Sequence, residues 1–183
     1  VQYLIEKGAD VNEKVKEGVT PLHIARTATI ARLLIEADAN PLVVVKGVNS
    51  LGTAIQRENI DVAQYLIDAG VTVNEKFGSP LHMASFLGKP KMVKYLIENG
   101  ADVNKKIRGY TPLHVTKKVE IARLLIRGGA DPFIKTPNGE EILDISRKTG
   151  NTDMVEYIES LYPPRNTLQF KAWVRSKGYD FSF

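Results

Sequence analysis

The chain has 183 residues, of which 43% are hydrophobic, 25% charged and only 8% aromatic, a composition typical of a folded protein with a sizeable core. The longest apolar run, residues 41–45, is far shorter than the ~20 residues that span a membrane, and nothing resembles a signal peptide. The absence of cysteine excludes disulfides and thiolate metal sites. It favours a cytoplasmic location, either in the source cell or, for a secreted effector, in the cytosol of a host.

The formal net charge of +4 is unevenly spread along the chain. Residues 1–90 carry 9 Lys or Arg against 10 Asp or Glu, whereas residues 91–183 carry 16 against 11. The positive charge therefore belongs to the second half, and any function that uses it is expected there.

One apolar phrase recurs five times. The copies are "YLIEKGADVN" (3–12), "LLIEADANP" (33–41), "YLIDAGVTVN" (65–74), "YLIENGADVN" (95–104) and "LLIRGGADP" (124–132). Each copy is followed by a polar stretch that contains Lys and Gly, and then by Thr/Ser-Pro-Leu-His or a remnant of it. Self-similarity at this period is the signature of a repeat architecture.

These phrases resemble the ankyrin-repeat family, whose unit is a β-turn finger and two antiparallel helices of ~33 residues. The resemblance implies an all-α ankyrin-repeat solenoid over residues 1 to about 161. The expected units are a partial repeat 1–13, repeats 14–43, 44–73, 74–104 and 105–134, and a capping repeat 135–161. The half-repeat at the start leads us to expect a truncated chain or a preceding segment that covers it.

Local chemistry agrees with this resemblance. Thr111 can cap a helix, and Pro112 suits the first helical turn because its missing N–H would be unpaired there. The helix over 120–127 has too many apolar residues for one exposed face, which predicts neighbours on both sides. Gly100 and Gly129 can end second helices with positive φ.

All three histidines, His23, His82 and His114, occupy the same place in the repeated phrase. In the ankyrin family this imidazole bonds near the helix start and the adjoining finger. A metal or catalytic histidine would need a second ligand or base, and none recurs with it. We therefore predict a scaffold role for the histidines, and no metal and no cofactor.

Departures from the pattern predict local differences. The second full repeat has Ser50 and Gly52 where Pro and His are expected, although Asn49 can still cap its helix. The first and fourth full repeats lack three residues between their helices, so their first helices should be short. In the last repeat, residues 141–144 read Glu-Ile-Leu-Asp, as a more polar terminal repeat should.

No motif of catalysis is present: the sequence has no phosphate loop, no His-Glu-x-x-His helix and no nucleophile elbow. Asp10, Asp102 and Asp131 occupy equivalent turns, so they are expected to be spread along the stack as turn residues. We predict that the protein is not an enzyme.

The resemblance implies that a partner binds the concave strip formed by the fingers and the first helices. Fingers are expected at 14–19, 43–48, 75–78, 105–110 and 135–140. The predicted partner-binding residues are Phe77, Phe86, Leu87, Lys105, Lys106, Ile107, Arg108 and Tyr110. Further cations lie beside or beyond them, namely Lys117, Lys118, Lys135, Arg147 and Lys148.

Aromatic anchors and a basic field predict that the chain binds another protein with an acidic surface. We expect it to do so as a monomer. Three alternatives stay open. Phe86 and Leu87 could pack against the next finger, and the lysines could serve only to keep the protein soluble. The basic half could instead bind an anionic polymer or a membrane surface. Nucleic acid is disfavoured, because aromatic and basic residues do not alternate. The chain could also be the ankyrin part of a larger effector or adaptor.

Residues 162–183 depart from the repeat and hold six of the fourteen aromatic residues. Pro163 and Pro164 end the stack, and residues 168–177 are expected to form a short helix with an apolar side. We favour a capping helix that covers the last repeat. A partner-binding helix is the alternative.

Overall fold

The computed structural model describes residues 1–74 and 79–161, and over these residues the chain is a row of helix pairs joined by hairpin fingers. The α-helices are α1 Gln2–Glu6, α2 Ala28–Glu36, α3 Ser50–Gln56, α4 Ile60–Asp68, α5 Pro80–Phe86, α6 Pro90–Glu98, α7 Pro112–Val115, α8 Val119–Arg127, α9 Ile142–Lys148 and α10 Thr152–Leu161. A 3₁₀ helix, Pro21–Ile24, takes the place of a first helix before α2. The all-α solenoid predicted from the sequence is confirmed.

The core runs along the stack as one apolar row from the first helices and one from the second helices. Buried members of the rows are Leu22, Leu51, Leu81, Leu113 and Ile142 in the first helices, and Leu34, Leu66, Leu96, Leu125 and Ile158 in the second. Burial of each such side chain contributes roughly 1.5–3 kcal/mol. A single pair cannot cover its own row, so each pair depends on its neighbours.

The first helices of two pairs are short, as predicted. The 3₁₀ helix Pro21–Ile24 and α7 each have four residues, whereas α3 and α5 each have seven. Three missing residues remove nearly one α-helical turn. The second helices keep their length, and α2 and α8 both have nine residues.

Two fingers close with a two-residue turn. Val45 and Val48 exchange both backbone hydrogen bonds around Lys46-Gly47, and Ile107 and Tyr110 do the same around Arg108-Gly109. Both central residues have positive φ, as a type I′ turn requires: 50° and 81° in the first, 50° and 85° in the second. Fingers 2 and 4, residues 43–48 and 105–110, are therefore narrow hairpins with a cationic residue at the tip.

The histidines fasten fingers to helices, as predicted. The backbone N–H of Thr111 donates to Nδ1 of His114 at 3.1 Å, and Nε2 of His114 is 2.9 Å from the carbonyl oxygen of Ile134. Because a carbonyl only accepts, this histidine is the neutral Nε2–H tautomer. Nε2 of His82 likewise donates to the carbonyl of Tyr110 at 2.8 Å.

The set is not uniform. His23 contacts the hydroxyl of Thr20 at 2.8 Å through Nδ1, but its Nε2 makes no well-formed hydrogen bond within residues 1–74 or 79–161. Burial lowers the pKa of His23, and the nearby backbone of Val48 and Val43 in finger 2 opposes this shift. In His82 the other ring nitrogen is unpaired: Nδ1 makes no hydrogen bond to residues 1–74 or 79–161. Only His114 makes both connections among the described residues.

Asparagine side chains connect successive turns that follow the second helices. Asn74 accepts from the N–H of Asp102 at 3.0 Å and donates to the carbonyl of Gly100 at 3.1 Å. Asn104 makes the same pair of bonds to Asp131 and Gly129, at 2.8 and 2.9 Å. Asn12 does so with Asn40 and Asp38.

One step of the stack lacks both connections. Leu42 stands where Asn12, Asn74 and Asn104 stand in the other turns, and its side chain can neither donate nor accept a hydrogen bond. Gly52 stands where histidine would reach the next finger. This step is still held by packing of α3 against α5 and by the Lys89–Glu58 ion pair at 3.6 Å, which joins the α3–α4 loop to the α5–α6 loop.

Replacing Leu42 by asparagine should stabilise this step. The side chain is 56% exposed, so little burial is lost, and the new amide would reach the carbonyl of Gly70 and the N–H of Thr72. Two such hydrogen bonds should raise the free energy of unfolding by about 1 kcal/mol, measured by urea denaturation. Leu42→Ala is the matched control, because it removes the same exposed surface without restoring the bridge. Equal stability of the two variants would contradict the interpretation.

Gly109 is required both by its turn and by its neighbour. A Cβ at Gly109 would lie 2.4 Å from Cγ of Pro137 in the following finger, whereas a Cβ at Gly139, with φ of 78°, would meet nothing within 4 Å. Gly139→Ala should cost about 1–2 kcal/mol from backbone strain alone. Gly109→Ala should cost at least about 1 kcal/mol more, because the clash adds to the strain. Thermal unfolding of both variants measures the difference.

Candidate functional site

Phe86 and Leu87 form the main apolar feature of the first-helix face. They end α5, and 68% of Phe86 and 40% of Leu87 are exposed, although Ala84 and Ser85 just before them are buried. More of Leu87 than of Phe86 is covered, and Phe86 offers the larger free surface. An exposed bulky pair is a candidate anchor for a partner.

Ile107 and Tyr110 are half-buried. They face each other across the Arg108-Gly109 turn, and the Tyr110 ring lies edge-on to the imidazole of His114 with centroids 6.3 Å apart. The backbone of Tyr110 also accepts the hydrogen bond from His82. These two residues thus shape finger 4 and offer only part of their surface to a partner.

Four of the predicted cations already have partners within the chain. Lys105 Nζ donates to the carbonyl of Asn74 at 2.8 Å, and Lys118 Nζ donates to the carbonyl of Gly88 at 2.9 Å. Arg147 pairs with Glu159 at 2.5 Å, and Lys148 pairs with Glu140. Lys105 and Lys118 thus join neighbouring repeats, whereas the two ion pairs lie within the last repeat.

The remaining predicted cations face solvent. Lys106, Arg108, Lys117 and Lys135 are exposed, and none of them makes an ion pair with residues 1–74 or 79–161. Residues 103–119 contain five Lys or Arg and no Asp or Glu. The field around finger 4 is therefore positive and is not neutralised by its own segment.

Burial is the main influence on the pKa values of His82 and His114, and the neighbouring cations add to it. Burial lowers the pKa of His114 below its ordinary value, the hydrogen bond to Ile134 opposes this shift, and the charge of Lys106 lowers the pKa further. Burial also lowers the pKa of His82, with Lys105 acting in the same direction. Both imidazoles are therefore held neutral, in keeping with their role as hydrogen-bonding spacers.

Several exposed apolar residues on the fingers and the first helices escaped the sequence analysis. Val15 and Val44 are exposed on fingers 1 and 2, and Ile24 is 56% exposed at the end of its 3₁₀ helix. The register of the repeated phrase could have found Ile24, because it follows His23 directly. Phe77 and the tail at 162–183 lie outside the described residues.

Other candidate chemistry is absent from the part of the chain that the structure describes. Asp10, Asp102 and Asp131 each accept from the backbone N–H two residues later, at 2.8–2.9 Å, so they are turn residues, as predicted. No group of three or more His, Asp or Glu side chains in that part is placed to hold a metal ion. No helix within it is both long enough and apolar enough to cross a membrane.

A family model described as ankyrin repeats (3 copies) matches residues 1–77, 26–107 and 51–132, which together cover more than half of the chain. The chain belongs to the ankyrin-repeat family. Proteins of this architecture present an extended concave surface to their partners, and the fold itself is typically non-catalytic.

Relatives share the repeats in different settings. The chain is 31% identical over 168 residues to the palmitoyltransferase AKR1 of Lachancea kluyveri, covering 83% of this chain and 23% of that protein. It is 31% identical over 130 residues to the tyrosine-protein kinase Shark of Drosophila melanogaster, covering 66% and 14%. An ankyrin repeat-containing protein of Schizosaccharomyces pombe, P1E11.10, is 32% identical over 106 residues, covering 55% and 51%. The chain thus spans between a seventh and about half of these relatives.

The histidine pKa shifts predict how stability depends on pH. The unfolded histidines titrate near 6.5 and the folded ones below it, so their stabilisation is complete above pH 6.5 and is lost as the pH falls toward the folded pKa. The free energy of unfolding should therefore decrease between pH 7.5 and pH 5 in urea titrations. In the His82→Gln/His114→Gln variant this decrease should be smaller. Parallel pH profiles for variant and wild type would contradict the assignment.

Proposed function

We propose that this protein is a non-catalytic interaction module that binds a partner protein on its fingers and first helices. The observation that carries the proposal is the exposure of Phe86 and Leu87 at the end of α5, directly after the buried Ala84 and Ser85. Exposed bulky side chains of this kind supply the central anchors of protein interfaces. The common use of ankyrin stacks for protein binding supports the same conclusion.

The partner in this proposal has an acidic surface. Lys106 and Arg108 project from finger 4, and Lys117 lies between α7 and α8, with no acidic residue in the intervening sequence. Complementary charge would speed the encounter and select against basic partners, in a manner that depends on salt. Phe77 is included in the proposed surface because the repeat pattern of the sequence assigns residues 75–78 to a finger. We also propose that the protein acts as a monomer.

An alternative is an anionic polymer or membrane surface that binds the same cations. It differs from the proposal in needing charge alone, so Phe86 would be dispensable. Retention on heparin or on anionic vesicles that persists well above physiological salt would favour it. Loss of retention at modest salt would favour a protein partner.

The proposal predicts that Phe86→Ala/Tyr110→Ala weakens partner binding at least about tenfold, because hot-spot residues carry most of the binding free energy. The partner is first recovered by pull-down from an extract of the source cell with mass spectrometry, and its affinity is then measured by calorimetry. Tyr3→Ala is the matched control: Tyr3 is also 68% exposed, but it lies on α1 at the far end of the stack.

The control shows whether affinity is lost because the proposed surface is altered or because any exposed aromatic side chain is removed. Tyr3→Ala should bind the partner as the wild type does. If the double variant also kept its affinity, the surface would be wrongly placed. Thermal unfolding of each variant shows whether the fold is intact, which is expected for Phe86 because its side chain is mostly outside the core.

A further inference from the structure

We infer that residues 168–177 of this chain pack against the outer side of the last helix pair, α9 and α10, and close the C-terminal end of the apolar core. This inference is independent of the proposed function, because it concerns the end of the stack and not its fingers. It rests on the incomplete cover of two core positions, on the shape and charge of the surface beside them, and on the length and composition of the chain that follows α10.

Two core positions of the last helix pair are less covered than their equivalents in the earlier pairs. The first is the leucine of Thr/Ser-Pro-Leu-His or its remnant. Leu143 is half-buried, whereas this leucine is at most 2% exposed in four earlier pairs, at Leu22, Leu51, Leu81 and Leu113. The second position lies in the second helices. Val155 is half-buried, whereas its equivalents are fully buried in the same four pairs, at Ala31, Ala63, Val93 and Ala122.

The missing cover is the one that a following element supplies. Leu22 is buried although α1 is the only helix described before its pair, and α3 of the next pair packs against the 3₁₀ helix that carries Leu22. Cover of this position therefore comes from the element after it. Within residues 1–74 and 79–161, no element follows α10. A terminal element with a polar outer face normally covers the end of such a row, because exposed apolar core is costly.

A depression of about 330 Å³ lies beside Val155. Its lining residues come from both helices and the loop between them, and they are Ser146, Arg147, Gly150, Thr152, Val155 and Glu156. Leu143 precedes Ser146 and Arg147 by three and four residues, so it shares their face of α9. We call the surface formed by Leu143, Val155 and this depression the end face. The groove between two helices is where side chains of a third helix can pack.

The chain that follows α10 supplies an occupant of suitable length. Residues 162–167 can span about 20 Å when extended, whereas the axes of packed helices lie about 8–10 Å apart. A helix over 168–177, predicted from the sequence, would be about 15 Å long, like the ten-residue α10. It would place Phe170, Trp173 and Val174 on one face, because Trp173 and Val174 follow Phe170 by three and four residues. A segment tethered so closely has an effective concentration on the order of mM, which favours it over a free partner.

Charge favours the same occupant. α10 carries Asp153, Glu156 and Glu159 and no Lys or Arg. Glu159 pairs with Arg147, but Asp153 and Glu156 make no ion pair within residues 1–74 or 79–161. Residues 162–183 hold four Lys or Arg and one Asp, so their net charge is opposite to that of α10. A second copy that continued the row would instead bring residues 1–13, which hold three Asp or Glu and one Lys, and like charges repel.

The test uses the full chain, with its only tryptophan, Trp173, as the reporter. In the folded wild type, Trp173 fluorescence should be shielded from the quencher acrylamide at every protein concentration, and urea should remove this shielding. Phe170→Ser/Val174→Ser should lose the shielding without urea and lower the midpoint of thermal unfolding by about 4 °C or more, because two apolar side chains leave the end face. Phe181→Ser/Phe183→Ser, the matched control beyond residues 168–177, should change neither.

Val155→Lys alters the end face without changing residues 162–183. A charge at this position should prevent apolar packing and expose Trp173 to acrylamide as the Phe170→Ser/Val174→Ser variant does. Leu4→Lys is the matched control, because Leu4 is 59% exposed on α1 at the far end of the stack and its replacement should leave the quenching unchanged. Far-UV circular dichroism shows whether the repeats stay helical, and if Val155→Lys does not fold, the Phe170→Ser/Val174→Ser variant decides alone.

Four results would overturn the inference. These are equal quenching of Trp173 in the folded and the urea-unfolded wild type, wild-type behaviour of the Phe170→Ser/Val174→Ser variant, retained shielding in a folded Val155→Lys variant, and shielding that appears only as the protein concentration rises. The last result would assign the end face to a second copy of the chain. All four leave the proposed function untouched, because partner binding is tested at Phe86 and Tyr110.

Discussion

Apolar contact between successive helix pairs is the constraint on which the whole molecule depends. Each pair offers one buried Leu or Ile from its first helix and one from its second, and the next pair completes their cover. Contacts of this kind act only between neighbours, so stability builds up step by step along the row. The fingers have no such core of their own. Their positions are set by polar side chains that reach from one repeat to the next backbone.

These polar connections divide the surface into scaffold and free positions. His82, His114, Asn74 and Asn104 use their side chains to hold the following repeat. Lys118 belongs to this group as well, although its charge alone would place it among the partner-binding residues. These bonds occupy donor groups that could otherwise contact a partner. Fewer basic side chains are therefore free for recognition than the sequence contains.

Recognition is expected where scaffold requirements are weakest and chemical signals coincide. Phe86 and Leu87 are not needed by the core, and Arg108 holds a conformation that its own turn would more readily give to asparagine. The absence of acidic residues from 103–119 leaves the local field uncompensated. The step at Leu42 and Gly52, which lacks the asparagine and histidine bridges found elsewhere, precedes the step that carries Phe86 and Leu87. The weaker place in the scaffold and the proposed partner surface therefore lie at different steps of the stack.

The sequence by itself determined the fold, because a phrase written five times prescribes the same helix ends, caps and apolar rows each time. It also predicted that the first helices of two pairs are short and that Asn49 caps α3, both of which depend on residues close together in the chain. The scaffold role of the histidines followed from the family resemblance, because their bonds to the next finger join residues 20 and 28 positions apart. Only the tertiary structure decided which cations are free and that Ile107 and Tyr110 are half-buried. The bonds that occupy Lys105 and Lys118 join residues about 30 positions apart, and no local pattern reports a contact between neighbouring repeats.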